Sequence, residues 1–348
     1  MRKWHNAGWD VAADSVRAGH SLRGPGAAAT SAVMTNTNRL SGAASTGAAI
    51  MGLVLAALGG CARQEPATPA TAQAAKPVAP TREQLLGATV TGVFDAPVTL
   101  AAGLYEGPPA EAGAASKPTL KLWDSTIEFV DIDGVPPEEG VALLTSGEGG
   151  SGTNSHLGAF SIQDGKAATL GIVPLGDRVQ LFRLWHELGK VLLDLVEPGP
   201  GEPSCCPTQL SRKAVGWKDG RLQLLANDVV GGLSINLLAA TDWMLVEMDG
   251  QPLPAGVMPP TTLVQYGKAA GFSGCNRYTG PIAEPAPGRL KLGELAVTRK
   301  ACDAAANEIE AAFLDRMRAT TSYAFQAGRL LLVAPQDGES PRSLLFAR

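Results

Sequence analysis

Apolar and polar positions alternate over short runs through the middle of the chain. Leu120-Lys121-Leu122-Trp123, Thr126-Ile127-Glu128-Phe129-Val130, Val141-Ala142-Leu143-Leu144, His156-Leu157-Gly158-Ala159-Phe160 and Val191-Leu192-Leu193-Asp194-Leu195-Val196 have strand length and strand composition. Between them Asp133-Gly134, the glycine-rich run from Gly147 to Gly152, Asp164-Gly165 and Asp219-Gly220 supply the positive φ that hairpin turns need. An antiparallel sheet is expected over about 84–225.

Nearer the C-terminus the pattern changes. Trp243 and Leu245 fall on one side of a strand, Asp249-Gly250 turns the chain, and further strands are expected at Arg329–Val333 and Ser343–Phe346. Only the stretch from Ala304 to Arg318 repeats its apolar residues at helical spacing, with Ile309, Ala312, Phe313, Leu314 and Met317 in one stripe and Asp303 placed as N-cap. The fold class expected is mainly β: two small antiparallel β-rich domains, about 84–225 and 240–348. The second should be an α+β domain with one helix packed on its sheet.

The start of the chain follows another logic. An apolar segment beginning near Ala48 ends in Leu58-Gly59-Gly60-Cys61. At about 11 residues it falls short of the ~20 that a lasting membrane helix needs, and it has the proportions of a signal h-region. The tetrapeptide resembles the lipobox of bacterial lipoproteins, which implies cleavage between Gly60 and Cys61 and lipidation of the Cys61 sulfur. Because charged n-regions lie close to the initiator, Met34 makes a better start than Met1. Residues 1–33 are then expected to be a mis-assigned or disordered extension, and 34–60 the signal peptide. Residues 61–83, rich in Pro, Ala, Thr and Gln, have no apolar period and read as a disordered tether. Ala62 is not the aspartate that retains many lipoproteins at the inner membrane. The expected location is the cell envelope, lipid-anchored, at the outer membrane facing the periplasm.

Composition adjusts this picture in two ways. The 41 glycines and 25 prolines favour turns and short strands over long helices. A net charge of -4 with both signs interspersed gives no reason to expect nucleic acid.

Several residues could carry chemistry. Asp131-Ile132-Asp133-Gly134 with Glu138-Glu139 has the alternating carboxylates of a calcium loop, but Val135 stands where a ligand is needed, the glycine comes early and two prolines follow. An ordinary acidic turn is expected, with no metal. Gly147–Thr153 lacks the lysine of a phosphate-binding loop and reads as a flexible hairpin connection. Cys205-Cys206-Pro207 leaves three readings open: a vicinal disulfide locking a tight turn, a redox or metal role, or free thiols. The region carrying these motifs also resembles uncharacterised domains of other predicted bacterial lipoproteins, which implies no activity.

The C-terminal region is more specific. Trp243-Met244-Leu245-Val246 leads to Asp249-Gly250, followed by Gly271-Phe272-Ser273-Gly274-Cys275-Asn276-Arg277-Tyr278-Thr279-Gly280, Leu292-Gly293-Glu294-Leu295 and Thr298-Arg299-Lys300-Ala301-Cys302. Glu308 to Met317, Leu330-Leu331-Leu332 and Leu344-Leu345-Phe346 complete the series. In this order they resemble the META, or HslJ-like, domain family, and the resemblance implies a role in heat or antibiotic tolerance. Cys275 and Cys302 flank the centre of the region and could pair in an exported protein; two buried thiols or a catalytic cysteine are the alternatives. The catalytic version would have to borrow His156 or His186, since none of the four histidines lies within 240–348. Asn276, Arg277, Tyr278, Thr298 and Arg299 form a polar cluster that is either a ligand or partner patch or a set of satisfied turn residues.

The function expected is that of a non-catalytic, lipid-anchored envelope protein that works in envelope maintenance or stress tolerance by binding. It needs no cofactor, and its partners are the membrane through the anchor and an envelope protein. The alternatives are a thiol-redox or other periplasmic enzyme centred on Cys205-Cys206, and an inhibitor or scaffold that grips its target through Gly147–Thr153.

Overall fold

The computed structural model describes residues 77–109, 116–149, 152–335 and 342–348. The expectations for 1–33, for the signal segment 34–60, for cleavage and lipidation at Gly60 and Cys61, and for the tether as far as residue 76 lie outside the described residues. Among the described residues no helix is long and apolar enough to cross a membrane.

Three sheets build the folded part. The first has eight strands, in the order Val98–Thr99, Thr89–Val90, Lys166–Asp177, Asn154–Gln163, Glu139–Gly147, Thr119–Leu122 and Leu104–Glu106, with Glu128–Val130 also pairing with Glu139–Gly147. It is antiparallel except where Thr89–Val90 runs parallel to Lys166–Asp177. The second is a four-stranded meander of Gln180–Glu187, Lys190–Glu197, Gln209–Lys218 and Arg221–Gly232.

These two sheets pack face to face. Val141 and Leu143 join Leu157, Val173, Leu181, Val191, Leu193, Leu195 and Val215 in one core. The intervening residues Ala142 and Leu144 point the other way, into a second core with Leu85, Val90, Leu120 and Phe160. The strand Glu139–Gly147 is therefore buried on both sides. That is why Val141–Leu144 is a continuous apolar run rather than an alternation.

The second core is closed by a feature absent from the sequence reading. Arg82–Leu86 is a short helix capped by Thr81, whose side chain accepts from the Gln84 amide while Gln84 returns a bond to the Thr81 amide. The helix puts Leu85, fully buried, against Gly140, where a Cβ would come within 2.5 Å of Leu85 Cδ1. Order thus begins earlier than a tether ending at 83 implies, because one leucine finds a slot in the sheet.

The third sheet has ten strands and lies within 243–347. Its order is Lys291–Leu292, Arg277–Ala283, Lys268–Phe272, Thr261–Gln265, Trp243–Met248, Arg342–Ala347, Arg329–Ala334 and Ser322–Gln326, with Gln251–Pro252 and Ala296–Val297 paired at the side. The helix Ala304–Ala319 covers it. Phe313, Leu314 and Met317 are buried, Ile309 and Ala312 half-buried, and Asp303 caps the first turn by accepting from the Ala306 amide at 2.8 Å. Fold class, helix and cap agree with expectation.

The meander and the third sheet share a seam. Val196 and Leu210 belong to the same core as Trp243, Phe313 and Phe346. Phe182 stacks on Phe325 at 4.7 Å, Gly328 donates to the Leu181 carbonyl at 2.9 Å, and Arg348 reaches the Phe182 carbonyl at 2.9 Å. The link between them is pinned where the Ile235 amide donates to Glu284 at 2.8 Å.

Candidate functional site

The predicted polar cluster sits where the loop 273–276 passes under the helix. The loop can approach because Gly271 and Gly274 have no side chains: a Cβ on Gly271 would lie 2.0 Å from the Thr261 carbonyl oxygen, and Gly274 combines a φ of 113° with helix backbone 3.2 Å away. Asn276, only 6% exposed, is the hub. Its side-chain oxygen accepts from the Lys300 amide at 2.6 Å and from the Thr298 hydroxyl at 3.0 Å, and its amide nitrogen donates to Glu310 Oε1 at 3.0 Å. Glu310 Oε2 also accepts from the Asn276 backbone amide at 2.8 Å and from the Ser273 hydroxyl. Burial pushes the Glu310 carboxyl upward, but the donors from Ser273 and Asn276 outweigh it and hold the group below the usual carboxylate range.

Beside this hub Cys275 and Cys302 form a disulfide with Cα atoms 6.0 Å apart. Their sulfurs are bonded to each other, so neither is a free nucleophile. The loop it closes spans 27 residues, and on the chain-entropy estimate it stabilises the fold by about 3.5 kcal/mol.

The structure brings the five predicted patch residues together only in part. Asn276 and Thr298 bond directly, the Arg277 amide donates to the Thr298 hydroxyl at 3.1 Å, and the Arg277 and Arg299 side chains are exposed. Tyr278 departs from the patch. Strand alternation turns it inward, where it is 3% exposed, stacks edge-on against Phe313 at 5.6 Å and donates to the Thr261 carbonyl at 3.0 Å. Burial pushes its phenol above the usual range. Lys300 and Arg318, absent from the predicted set, complete a shallow cleft of about 670 Å³ whose floor is Asn276 and Glu310 and whose rim carries Arg299, Lys300 and Arg318.

The model of the META domain family matches residues 236–346. These residues form a META domain. A solution structure of a protein from Burkholderia xenovorans is 30% identical over 32% of this chain and 84% of its own length, with a TM-score of 0.28. No curated protein matches the chain. The Asn276 hub and the Cys275–Cys302 bond both lie inside the META domain, whose edge strand Ser322–Gln326 takes part in the seam with the meander.

The other predicted positions are elsewhere. Asp131, Asp133 and Glu139, rather than Glu138, approach one another within 4.8 Å, and they are the described residues within common reach of one cation. Two of the three already brace the turn: Glu139 Oε2 accepts from the Ile132 amide at 3.0 Å and Asp133 Oδ1 from the Val135 amide at 2.8 Å. Burial of Glu139, reinforced by Asp133 and Asp131, outweighs its backbone donors and pushes its carboxyl above the usual range. The Gly147–Thr153 connection borders a hollow of about 410 Å³ lined by Lys117 and Lys121, and the Thr153 amide is tied to Asp177 at 3.1 Å. His156 lies 3.1 Å from the Ser146 hydroxyl in the first sheet, where burial lowers its pKa.

A further polar centre lies in the meander, away from the predicted positions. Asp194, 2% exposed, stands cross-strand from Arg183 on one side and Arg212 on the other, and accepts from both at 2.8–3.1 Å. The two guanidiniums also flank Trp185 at 4.3 and 5.1 Å. The signal was present in the sequence as a single carboxylate inside the apolar run Val191–Val196.

Proposed function

We propose that this chain is a lipid-anchored protein of the bacterial envelope whose META domain acts without catalysis, binding an acidic partner in envelope maintenance or stress tolerance. The observation that carries the binding reading is the cleft over Asn276. Its floor is an interlocked set of hydrogen bonds in which Ser273, Asn276, Thr298 and Glu310 satisfy one another, so it is rigid and offers no free acid, base or nucleophile. The cationic rim of Arg299, Lys300 and Arg318 is what faces solvent, and it suits carboxylates or phosphates on a partner surface. Support for the compartment comes from Leu58-Gly59-Gly60-Cys61 and from the Cys275–Cys302 bond, since structural disulfides persist where the surroundings are oxidising.

Cross-linking and pull-down from solubilised envelopes tests the reading, comparing the acylated wild type with a double variant, Arg299→Glu with Lys300→Glu. A discrete acidic partner captured by the wild type and lost at least about tenfold by the variant is expected, because two rim charges are reversed. Equal recovery by both proteins, or no stable partner, would sink it. In parallel, globomycin treatment or Cys61→Ala should leave an unprocessed, slower-migrating chain, and unchanged size and membrane partitioning would remove the anchor.

A further inference from the structure

The turn between strands Lys190–Glu197 and Gln209–Lys218 carries Cys205 and Cys206, both exposed, with their sulfurs 2.6 Å apart. The backbone around them is fixed. Glu202 accepts from the Gly199 amide at 2.9 Å, from the Thr208 amide at 3.0 Å and from the Thr208 hydroxyl, and the Cys206 amide donates to the Pro203 carbonyl at 3.1 Å. The Thr208 hydroxyl above all, then the two amides, hold the Glu202 carboxyl below its usual range, so the anchor stays ionised. Both sulfurs are thereby presented to solvent, within covalent reach of each other, on a scaffold that does not depend on them.

This pair differs in kind from Cys275–Cys302. Neighbouring Cα atoms across a trans peptide are about 3.8 Å apart, below the roughly 4.4–6.8 Å of ordinary disulfides, whereas Cys275 and Cys302 stand 6.0 Å apart. A bond between adjacent cysteines is consequently strained and readily reduced, while a well-spaced one resists reduction. A soft metal ion is the less suitable occupant. The positive charge of Arg289 acts on Cys206, and the Glu202 oxygens that could add ligands already serve the turn.

We propose that Cys205-Cys206 is a thiol–disulfide exchange site, cycling between dithiol and vicinal disulfide against protein or low-molecular-weight disulfides. One thiol of the pair loses its proton and attacks a sulfur of the external disulfide. A mixed disulfide forms, and the first external thiolate leaves and takes up a proton. The neighbouring cysteine then loses its own proton and attacks its bonded neighbour, which closes the vicinal bond and expels the second external thiolate, protonated in turn. Two electrons pass from the pair to the external disulfide, which ends as two thiols. The Cys206 thiol is held above its usual pKa by its contact with Cys205, opposed by Arg289, so exchange should quicken as pH rises. This inference goes beyond the binding reading and stands without it, since it requires only that the turn meet a disulfide.

The test uses the mature chain with Cys61→Ser, equilibrated in glutathione redox buffers, alkylated and digested with trypsin. Val191–Arg212 then carries the pair on one peptide, separate from those holding Cys275 and Cys302. In oxidising buffer that peptide should be unalkylated and lighter by two hydrogens. It should become doubly alkylated at a reduced-glutathione concentration at least about tenfold below the one that opens Cys275–Cys302. A Cys205→Ser variant, altered only at an exposed side chain, should instead accumulate a mixed disulfide between Cys206 and glutathione. Double alkylation in every buffer, reduction only together with Cys275–Cys302, or no mixed disulfide in the variant would each overturn the proposal. Loss of the envelope partner in the pull-down would leave these results untouched.

Discussion

The meander and the META domain each bury a strongly polar side chain, Asp194 and Asn276, and they do it by opposite means. In the meander, Asp194 is neutralised by Arg183 and Arg212 from the two neighbouring strands, whose own side chains remain 45% and 41% exposed. In the META domain, Asn276 is held by the Lys300 backbone amide, the Thr298 hydroxyl and Glu310, next to a covalent bond. The first solution is electrostatic and half in solvent, so each arginine can relax when its partner is lost. The second is a closed lattice in which removing one member strands several others.

That contrast sets the order of expected effects. Cys302→Ser should cost the most, about 3.5 kcal/mol by loop entropy, read as a lowered urea midpoint in non-reducing buffer. A loss well under about 1 kcal/mol would mean that the hydrogen-bonded lattice holds the loop by itself. Asp194→Ala comes next, at about 2 kcal/mol, since bonds to a buried charge are lost while the two exposed arginines recover water. If its cost exceeds that of Cys302→Ser, the ranking of the two centres is wrong.

The smallest effect is in pH dependence, and it carries a sign. The folded pKa of Glu310 lies below the ordinary value near 4.5, so its contribution is present above that value and is lost as pH falls through the folded pKa. The folded pKa of Glu139 lies above 4.5, so the fold is favoured below that value and loses this contribution as pH rises through the folded pKa. Glu310→Gln should therefore flatten the acid limb of the stability profile, and Glu139→Gln should raise stability at neutral pH by less than about 1 kcal/mol. Denaturation midpoints measured across both pH ranges would show it. A change of the same sign in both variants would contradict the opposed environments.

Much of the architecture was legible in the chain because its signals are local. Asp164-Gly165, Asp219-Gly220 and Asp249-Gly250 all adopt the paired positive φ of tight hairpins, as their residue types require. Leu188-Gly189, Tyr266-Gly267 and Ala327-Gly328 make the same turn without a sequence signal, because a leucine, tyrosine or alanine does not announce it. The long strands Lys166–Asp177 and Arg221–Gly232 leave no clear sequence signal for a related reason. Half-buried or exposed positions follow one another along both, so no clean alternation marks them.

By itself the sequence determined the β-rich class, the capped helix, the hairpin punctuation and the META region, because each depends on residues near one another in the chain. Tertiary structure decided the rest: that Tyr278 leaves the polar patch while Lys300 and Arg318 enter the cleft, that Asp194 meets two arginines, and that Leu85 fills the slot over Gly140. Those outcomes depend on which strands become neighbours, and a period of two tells only which way a side chain points, not what it will meet.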